Sequence, residues 1–125
     1  MKQESTDWLR QAEANLRAGK NSFHSRDFFL SIFSVQQSVE LSLKAYIIEK
    51  KGELIKTHDL LKLARIADVP ENVFEIIEKL QPSYKEARYP DTSAIIPSER
   101  FKETDAKDSI SKAEEVVKWI KLKLK

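Results

Sequence analysis

The sequence contains no cysteine, and its only glycines are Gly19 and Gly52. The lack of cysteine excludes a disulfide framework, a thiolate nucleophile and an iron-sulfur site. Two isolated glycines cannot form the glycine-rich loop that cradles phosphates in many nucleotide-binding proteins, so any nucleotide must be bound by side chains. The two histidines, His24 and His58, are too far apart in sequence to share one helical face, and no Glu-x-x-His pair occurs. We therefore expect no metal site.

Long apolar runs are also missing. No run of about 18 apolar residues occurs, which predicts that the chain does not span a membrane. The first residues are polar, unlike the basic and then apolar start of a signal peptide, so we expect a cytoplasmic protein. The 22 basic and 20 acidic side chains leave a formal charge of +2, which does not by itself require nucleic acid or an anionic membrane as a partner. The densest basic cluster, Lys118, Lys121, Lys123 and Lys125, suits the negative end of a helix dipole.

Helical periodicity is the main structural signal. Apolar side chains recur every three or four residues in several segments, and no credible strand pair remains. The longest helix is predicted over 27–51 and is closed by Gly52. It follows a short first helix that Ser5 or Thr6 caps and that stops near Gly19.

Three further helices are predicted after Gly52. Thr57, His58 and Asp59 offer caps for the third helix, and Pro70 suits the first turn of a fourth that Pro82 ends. Thr104 is predicted to cap the last helix, and the stretch 89–97 is predicted to be an ordered loop. With 125 residues, enough for one core, the sequence predicts a single all-α domain over 1–125. The predicted fold of this domain is an antiparallel four-helix-type bundle with one or two extra short helices.

A stripe of small side chains lies along the predicted second helix at three- and four-residue steps: Ser31, Ser34, Ser38, Ser42 and Ala45. Helix backbones can approach each other closely along such a stripe. The stripe suits a homodimer interface, and it equally suits packing against another helix of the same chain. The spacing leaves both interpretations open.

A polar strip runs along the same helix. Gln36, Glu40 and Lys44 follow one another at four-residue steps, so that an amide, a carboxylate and an ammonium lie one turn apart. This strip suits a bound ligand or a partner. The alternative is an exposed stripe with one ordinary Glu-to-Lys helix pair that stabilises by about 0.3 to 0.5 kcal/mol.

A second group of candidate ligand-binding residues follows the fourth predicted helix: Tyr84, Lys85, Arg88, Tyr89 and Asp91. An arginine can hold a phosphate with two hydrogen bonds, and the flanking tyrosine rings can stack on a base. The alternative is that these side chains pin their own loop against the bundle by hydrogen bonds.

Taken in order, five short motifs give the chain a family resemblance. It resembles the HEPN domain family in Trp8 to Ala12, Gln36-Gln37-x-x-Glu40-x-x-x-Lys44-Ala45, Thr57-His58-Asp59-Leu60, Arg88-Tyr89-Pro90-Asp91, and Asp105-Ala106 with Ala113. The resemblance spans nearly the whole chain. It implies a compact bundle that commonly forms a homodimer, is often encoded beside a minimal nucleotidyltransferase as its protein partner, and takes part in nucleotide or RNA transactions.

The hypothesis of a nucleotide-binding module assigns roles to the candidate residues. Arg88 and Lys44 would supply positive charge for phosphate, and Tyr84 or Tyr89 would stack or hydrogen-bond. Gln37, Glu40 and His58 would orient the pocket, with Asp91 beside them. We expect no resident cofactor, and a nucleotide is the candidate ligand.

The chain departs from the family's ribonuclease members in one respect. Those members resemble one another in an arginine followed a few residues later by a histidine, and no histidine occurs between Arg88 and Ile95. Moving a 2′-hydroxyl proton calls for a group that titrates near neutral pH, which unperturbed tyrosine and aspartate do not. Arg17 and His24 have a similar spacing, but they bracket the predicted end of the first helix. His58 is the other candidate acid or base, with a capping or packing role as its alternative.

The sequence therefore favours a non-catalytic, HEPN-like binding module. One alternative is a metal-independent endoribonuclease of toxin type in a toxin–antitoxin pair. The other is a purely structural partner subunit.

Overall fold

The computed structural model describes residues 1–81 and 95–125, and these two ranges contain six α-helices and no strand. The helices are α1 (Gln3–His24), α2 (Phe28–Lys51), α3 (Leu60–Ala67), α4 (Glu71–Leu80), α5 (Pro97–Arg100) and α6 (Glu103–Leu124). The predicted all-α bundle is confirmed. Within the described ranges, no helix combines the length and the apolar character that crossing a bilayer requires.

The first two helices form an antiparallel hairpin through a three-residue turn, 25–27. The small-residue stripe of α2 faces α1: the Ser31 hydroxyl donates to the Gly19 carbonyl over 2.8 Å, and the Ser38 hydroxyl donates to the Ala12 carbonyl over 2.7 Å. The stripe is buried within one chain. Packing against another helix of the same chain is therefore the correct interpretation, and a homodimer interface along this stripe is wrong.

Gly19 allows this close approach. A Cβ added at Gly19 would lie 2.6 Å from Cγ1 of Val35 and 3.2 Å from the carbonyl oxygen of Ser31. The prediction that α1 stops near Gly19 is wrong, because the helix runs on to His24. A glycine that commonly ends a helix serves here to bring two helix backbones together.

The last helix packs against both members of the hairpin. Two ion pairs join it to α1, Lys20 with Glu114 at 2.6 Å and Lys121 with Glu13 at 3.0 Å. As the residue number rises on one helix it falls on the other, so α6 runs antiparallel to α1. With α1 on one side and α6 on another, α2 is buried over most of its circumference.

The short helices α3 and α4 close the remaining side of α2. Gly52 ends α2 in the left-handed conformation with a φ of 73°, as predicted. The Asp59 carboxylate caps α3 by accepting hydrogen bonds from the backbone nitrogens of Leu61 and Lys62. The next helix, α4, packs on α3 and α6, and the Gln36 amide donates to the carbonyl of Leu80 over 3.2 Å. These contacts bring the segment before α3 close to the middle of α2.

Three predicted helix starts require correction. Ser5 lies inside α1 and is buried, since the helix begins at Gln3 without a side-chain cap. Thr104 is the second residue of α6, whose start is stabilised by Asp105 accepting a hydrogen bond from the backbone nitrogen of Lys102 over 2.9 Å. Pro70 precedes α4 rather than lying in its first turn. Of the loop predicted over 89–97, residues 89–94 lie outside the described residues, and Pro97 is the first residue of α5.

Candidate ligand-binding site

The polar strip of α2 is inside the protein. Glu40 and Lys44 have side chains that are only 2% and 7% exposed, and Nζ of Lys44 lies 3.0 Å from Oε2 of Glu40. Gln36 is fully buried, while Gln37 is half-buried. The alternative of an exposed stripe with an ordinary surface ion pair is therefore wrong. A buried carboxylate and a buried ammonium need each other, because each alone would carry a large desolvation penalty.

His58 reaches the same carboxylate from the segment between α2 and α3. Its Nδ1 lies 2.9 Å from Oε2 of Glu40, although the imidazole side chain is 76% exposed. The local turn explains this position: the Thr57 hydroxyl accepts a hydrogen bond from the backbone nitrogen of Asp59, and Asp59 caps α3. The helix cap is thus Asp59, and His58 is left to contact Glu40.

One oxygen of Glu40 therefore serves two nitrogen-bearing groups. The other oxygen, Oε1, is buried and has no hydrogen-bond partner among the residues that the structure describes. The ammonium of Lys44 balances the charge of the carboxylate. An anionic group in the adjoining cavity can accept hydrogen bonds from Lys56 and His58, which line it.

A cavity of about 250 Å³ lies beside this cluster. Its wall combines aromatic, apolar, hydroxyl and basic side chains: Trp8, Lys44, Leu54, Ile55, Lys56, Thr57 and His58. The Lys44 ammonium lies 5.7 Å from the centre of the Trp8 ring, within the range of a cation–π contact. The cavity therefore offers a ring face, two cationic side chains and an imidazole within one small volume.

The structure brings together only some of the predicted site residues. Lys44 and His58 both contact Oε2 of Glu40, and both also line the cavity. Gln37 lies on α2 within one turn of Glu40. The remaining predicted site residues, which are Tyr84, Lys85, Arg88, Tyr89 and Asp91, lie outside the described residues. Their role in the site stays a prediction.

The sequence did not point to Trp8 as a site residue. The contact of Trp8 with Lys44 depends on how α1 packs on α2. Its half-buried state, at the edge of the core rather than within it, has no local signature in the sequence. Thr57 and Ile55 were missed as lining residues for the same reason.

Arg17 and His24, which have a spacing similar to the ribonuclease motif, both lie on α1. They line two other cavities, away from Glu40. The interpretation that they bracket the end of a helix is wrong, but they do not join the Glu40 cluster. Within 1–81 and 95–125, no group of three or more histidine and acidic side chains is arranged to hold a metal ion.

Comparisons with known proteins cover the whole bundle. A model of the HEPN domain family matches residues 5–123. Among solved structures, TT1696 from Thermus thermophilus is 29% identical with a TM-score of 0.87, over 98% of this chain and 99% of that chain. ST0689, described as an archaeal HEPN homologue, is 27% identical with a TM-score of 0.82, over 100% of both chains. A search of curated proteins found no match.

Proposed function

Since the chain belongs to the HEPN domain family, we propose that it is a non-catalytic binding module whose ligand is a nucleotide held beside Glu40, Lys44 and His58. The observation that carries this proposal is the meeting of Lys44 and His58 at Oε2 of Glu40, in the wall of a cavity that also contains Trp8. In this site His58 and Lys56 contact the phosphates from the exposed side. The Trp8 ring supplies a face for the base.

Glu40 has a positioning role in this proposal. It is too buried to approach a ligand from solvent, and a carboxylate repels phosphate. Its function is to hold the imidazole of His58 and the ammonium of Lys44 at fixed positions, so that less conformational entropy is lost when the ligand binds. Arg88 and Tyr84 or Tyr89 complete the phosphate and base contacts in the proposal, on the family resemblance alone.

A thermal-shift series tests the nucleotide. A ligand at 100 times its dissociation constant adds about 2.7 kcal/mol to the free energy of unfolding, which is easily detected. We expect at least one common nucleoside phosphate at millimolar concentration to stabilise the wild type, and His58→Ala to reduce that shift. Lys62→Ala is the matched control, because Lys62 is exposed on α3 and does not line the cavity. If no nucleotide stabilises the protein, the nucleotide proposal is wrong.

The proposed assembly is a homodimer that partners a minimal nucleotidyltransferase-type protein, and the family resemblance supports both interactions. Because the serine stripe of α2 is buried against α1, the dimer must use another surface. Molar mass measured by light scattering tests the dimer, and co-purification with a nucleotidyltransferase encoded beside the gene tests the partner. A monomer at micromolar concentration would contradict the first, and separate elution the second.

One contact favours a second candidate, the metal-independent endoribonuclease. A carboxylate bonded to one imidazole nitrogen fixes the ring, which is a common arrangement for a general acid or base, and His58 has this partner in Glu40. Labelled RNA incubated with the protein in excess chelator separates the two candidates. Cleavage by the wild type that His58→Ala or Arg88→Ala abolishes would establish the enzyme and overturn the non-catalytic proposal. No cleavage by any of the three proteins would exclude the enzyme.

A further inference from the structure

A groove runs between α1 and α6, on residues that the proposed nucleotide site does not use. It consists of a larger cavity of about 440 Å³ and a smaller cavity of about 260 Å³. Lys20 and Glu114 line both, so the two cavities adjoin. On α1 the lining extends from Glu13 to His24, which is about 16 Å or three helical turns.

The groove is strongly basic. Its lining contains six lysine and arginine side chains and only two carboxylates, an excess of four positive charges on a chain whose formal charge is +2. The basic residues are Arg17, Lys20, Lys107, Lys118, Lys121 and Lys125. The rest of the molecule therefore carries a net negative charge, and the positive charge is concentrated on this surface.

Most of these cations are not neutralised nearby. Lys20 and Lys121 pair with Glu114 and Glu13 across the groove. The other four basic side chains of the lining make no ion pair with any residue in the described ranges of the chain. The two existing pairs are about half exposed, so solvent screens them, and either lysine can exchange its carboxylate for a partner's at little cost.

In the larger cavity the surface between the charged side chains is aliphatic. Leu16, Val117 and Leu122 line the larger cavity, and Leu122 is 58% exposed. The larger cavity contains no aromatic ring, among the described residues, on which a base could stack. The smaller cavity holds the rings of Phe23 and His24, which pack edge to face against each other. An aliphatic strip between rows of cations matches the side chains of an acidic amphipathic helix, with apolar residues on one face and carboxylates on both flanks.

We propose that the α1–α6 groove binds an acidic amphipathic helix of a protein partner. The apolar side chains of the partner lie against Leu16, Val117 and Leu122. Its carboxylates pair with Arg17, Lys118 and Lys125. This surface is separate from the Glu40 cluster, so the inference holds whether or not the protein binds a nucleotide.

Three synthetic helical peptides of equal length test the groove. All carry the same leucine stripe, and their remaining positions are glutamate, glutamine or lysine. Binding is followed by nitrogen-15 chemical-shift changes of the labelled protein at low ionic strength. We expect the glutamate peptide to shift resonances of α1 and α6 saturably, and its affinity to fall at high salt. The glutamine and lysine peptides should bind at least about tenfold more weakly.

Charge reversal locates the contact. Lys118→Glu combined with Lys125→Glu should weaken binding of the glutamate peptide by about tenfold or more. Lys62→Glu combined with Lys79→Glu changes the net charge equally on α3 and α4, outside the groove, and is the matched control. Equal losses in the two variants would mean general charge attraction and would overturn the proposal.

A single-stranded oligonucleotide is the competing probe. If it shifted the groove resonances while the glutamate peptide did not, the groove would be a nucleic-acid surface and the protein-partner proposal would be wrong. Equal binding of the glutamate and glutamine peptides would likewise overturn it, because the basic side chains would then have no role in recognition.

Discussion

Nζ of Lys44 lies 3.0 Å from Oε2 of Glu40, and both side chains are almost completely removed from solvent. Because the two residues are one turn apart on α2, the helix itself sets their separation. The attraction between the charges is strong at this depth, but so is the cost of removing each from water. The free energy of unfolding should therefore fall most when only one member of the pair is replaced.

We predict that Lys44→Met lowers the free energy of unfolding by about 3 to 5 kcal/mol, because it leaves the buried Glu40 carboxylate without its cation. The double variant Glu40→Leu with Lys44→Met should lose less than Lys44→Met alone, since no buried charge remains. Urea denaturation of the single and double variants measures this coupling.

His58→Ala is the control for the same cluster. Its imidazole is 76% exposed, so the loss should be only about 0 to 1 kcal/mol. The cycle also needs the single variant Glu40→Leu. If the double variant lost as much stability as Glu40→Leu and Lys44→Met together, Glu40 and Lys44 would not be energetically coupled.

The Ser38 hydroxyl donates to the carbonyl of Ala12 at the interface of α1 and α2. We predict that Ser38→Ala lowers the free energy of unfolding by about 1 kcal/mol, the usual net contribution of one hydrogen bond. Ser111→Ala, on the exposed face of α6, should be close to neutral or slightly stabilising. Thermal denaturation compares the two serines directly. Equal effects would mean that the Ser38 hydrogen bond contributes nothing.

Gly19→Ala combines two opposing effects. Replacing glycine in a helix interior by alanine stabilises by about 1 kcal/mol. The new methyl group would lie 2.6 Å from Cγ1 of Val35, and such overpacking costs about 1 to 3 kcal/mol. We therefore predict net destabilisation, measured by urea denaturation.

Two variants separate these effects of Gly19→Ala. Ala18→Gly, at an exposed position of the same helix, measures helix propensity without packing. Val35→Ala removes the methyl group that is contacted, so Gly19→Ala should be less destabilising in the Val35→Ala background, where only the 3.2 Å approach to the Ser31 carbonyl oxygen stays tight. If it were destabilising to the same extent in both backgrounds, the contact with Val35 would not be the cause.

The Glu49 carboxylate accepts a hydrogen bond from the backbone nitrogen of Lys2 over 2.9 Å. This hydrogen bond is the main reason that the pKa of Glu49 is held below its ordinary value of 4.5. A folded-state pKa below the unfolded one means that the stabilisation is fully present above pH 4.5 and is lost as the pH falls through the lower, folded value.

We predict that an NMR titration of the Glu49 side chain gives a midpoint below 4.5. Glu49→Gln should therefore make thermal stability less dependent on pH on the acid side of that value. Glu53→Gln, an exposed substitution just beyond α2, is the matched comparison. The same pH dependence in Glu49→Gln and the wild type would show that the contact with Lys2 is not formed in solution.

The helix framework was largely predictable from the sequence, because its determinants are local. Gly52 ends α2 where the periodicity stops, and Asp59 caps α3 with its own side chain. The role of Gly19 was not predictable in this way, since a glycine that ends a helix and a glycine at a helix crossing look alike in a sequence. Only the close approach of Val35 and Ser31 to Gly19 in the folded bundle identifies Gly19 as a helix-crossing glycine.

The candidate site was predictable in its residues but not in its environment. Four-residue spacing placed Glu40 beside Lys44, yet spacing alone does not distinguish a buried pair from a solvent-exposed one. Their burial depends on α2 being covered on several sides, which is a property of the assembled bundle. The contact of His58 with Glu40 spans 18 residues and follows from the path of the chain before α3.

The three-residue turn between α1 and α2 also bears on the order in which the molecule folds. Ser31 and Gly19 are 12 residues apart, whereas Lys121 and Glu13 are 108 residues apart. Closing the longer loop costs more chain entropy, and local contacts tend to form sooner. We therefore expect the two N-terminal helices to pair first, and the rate of folding to be set by the return of α6 across them.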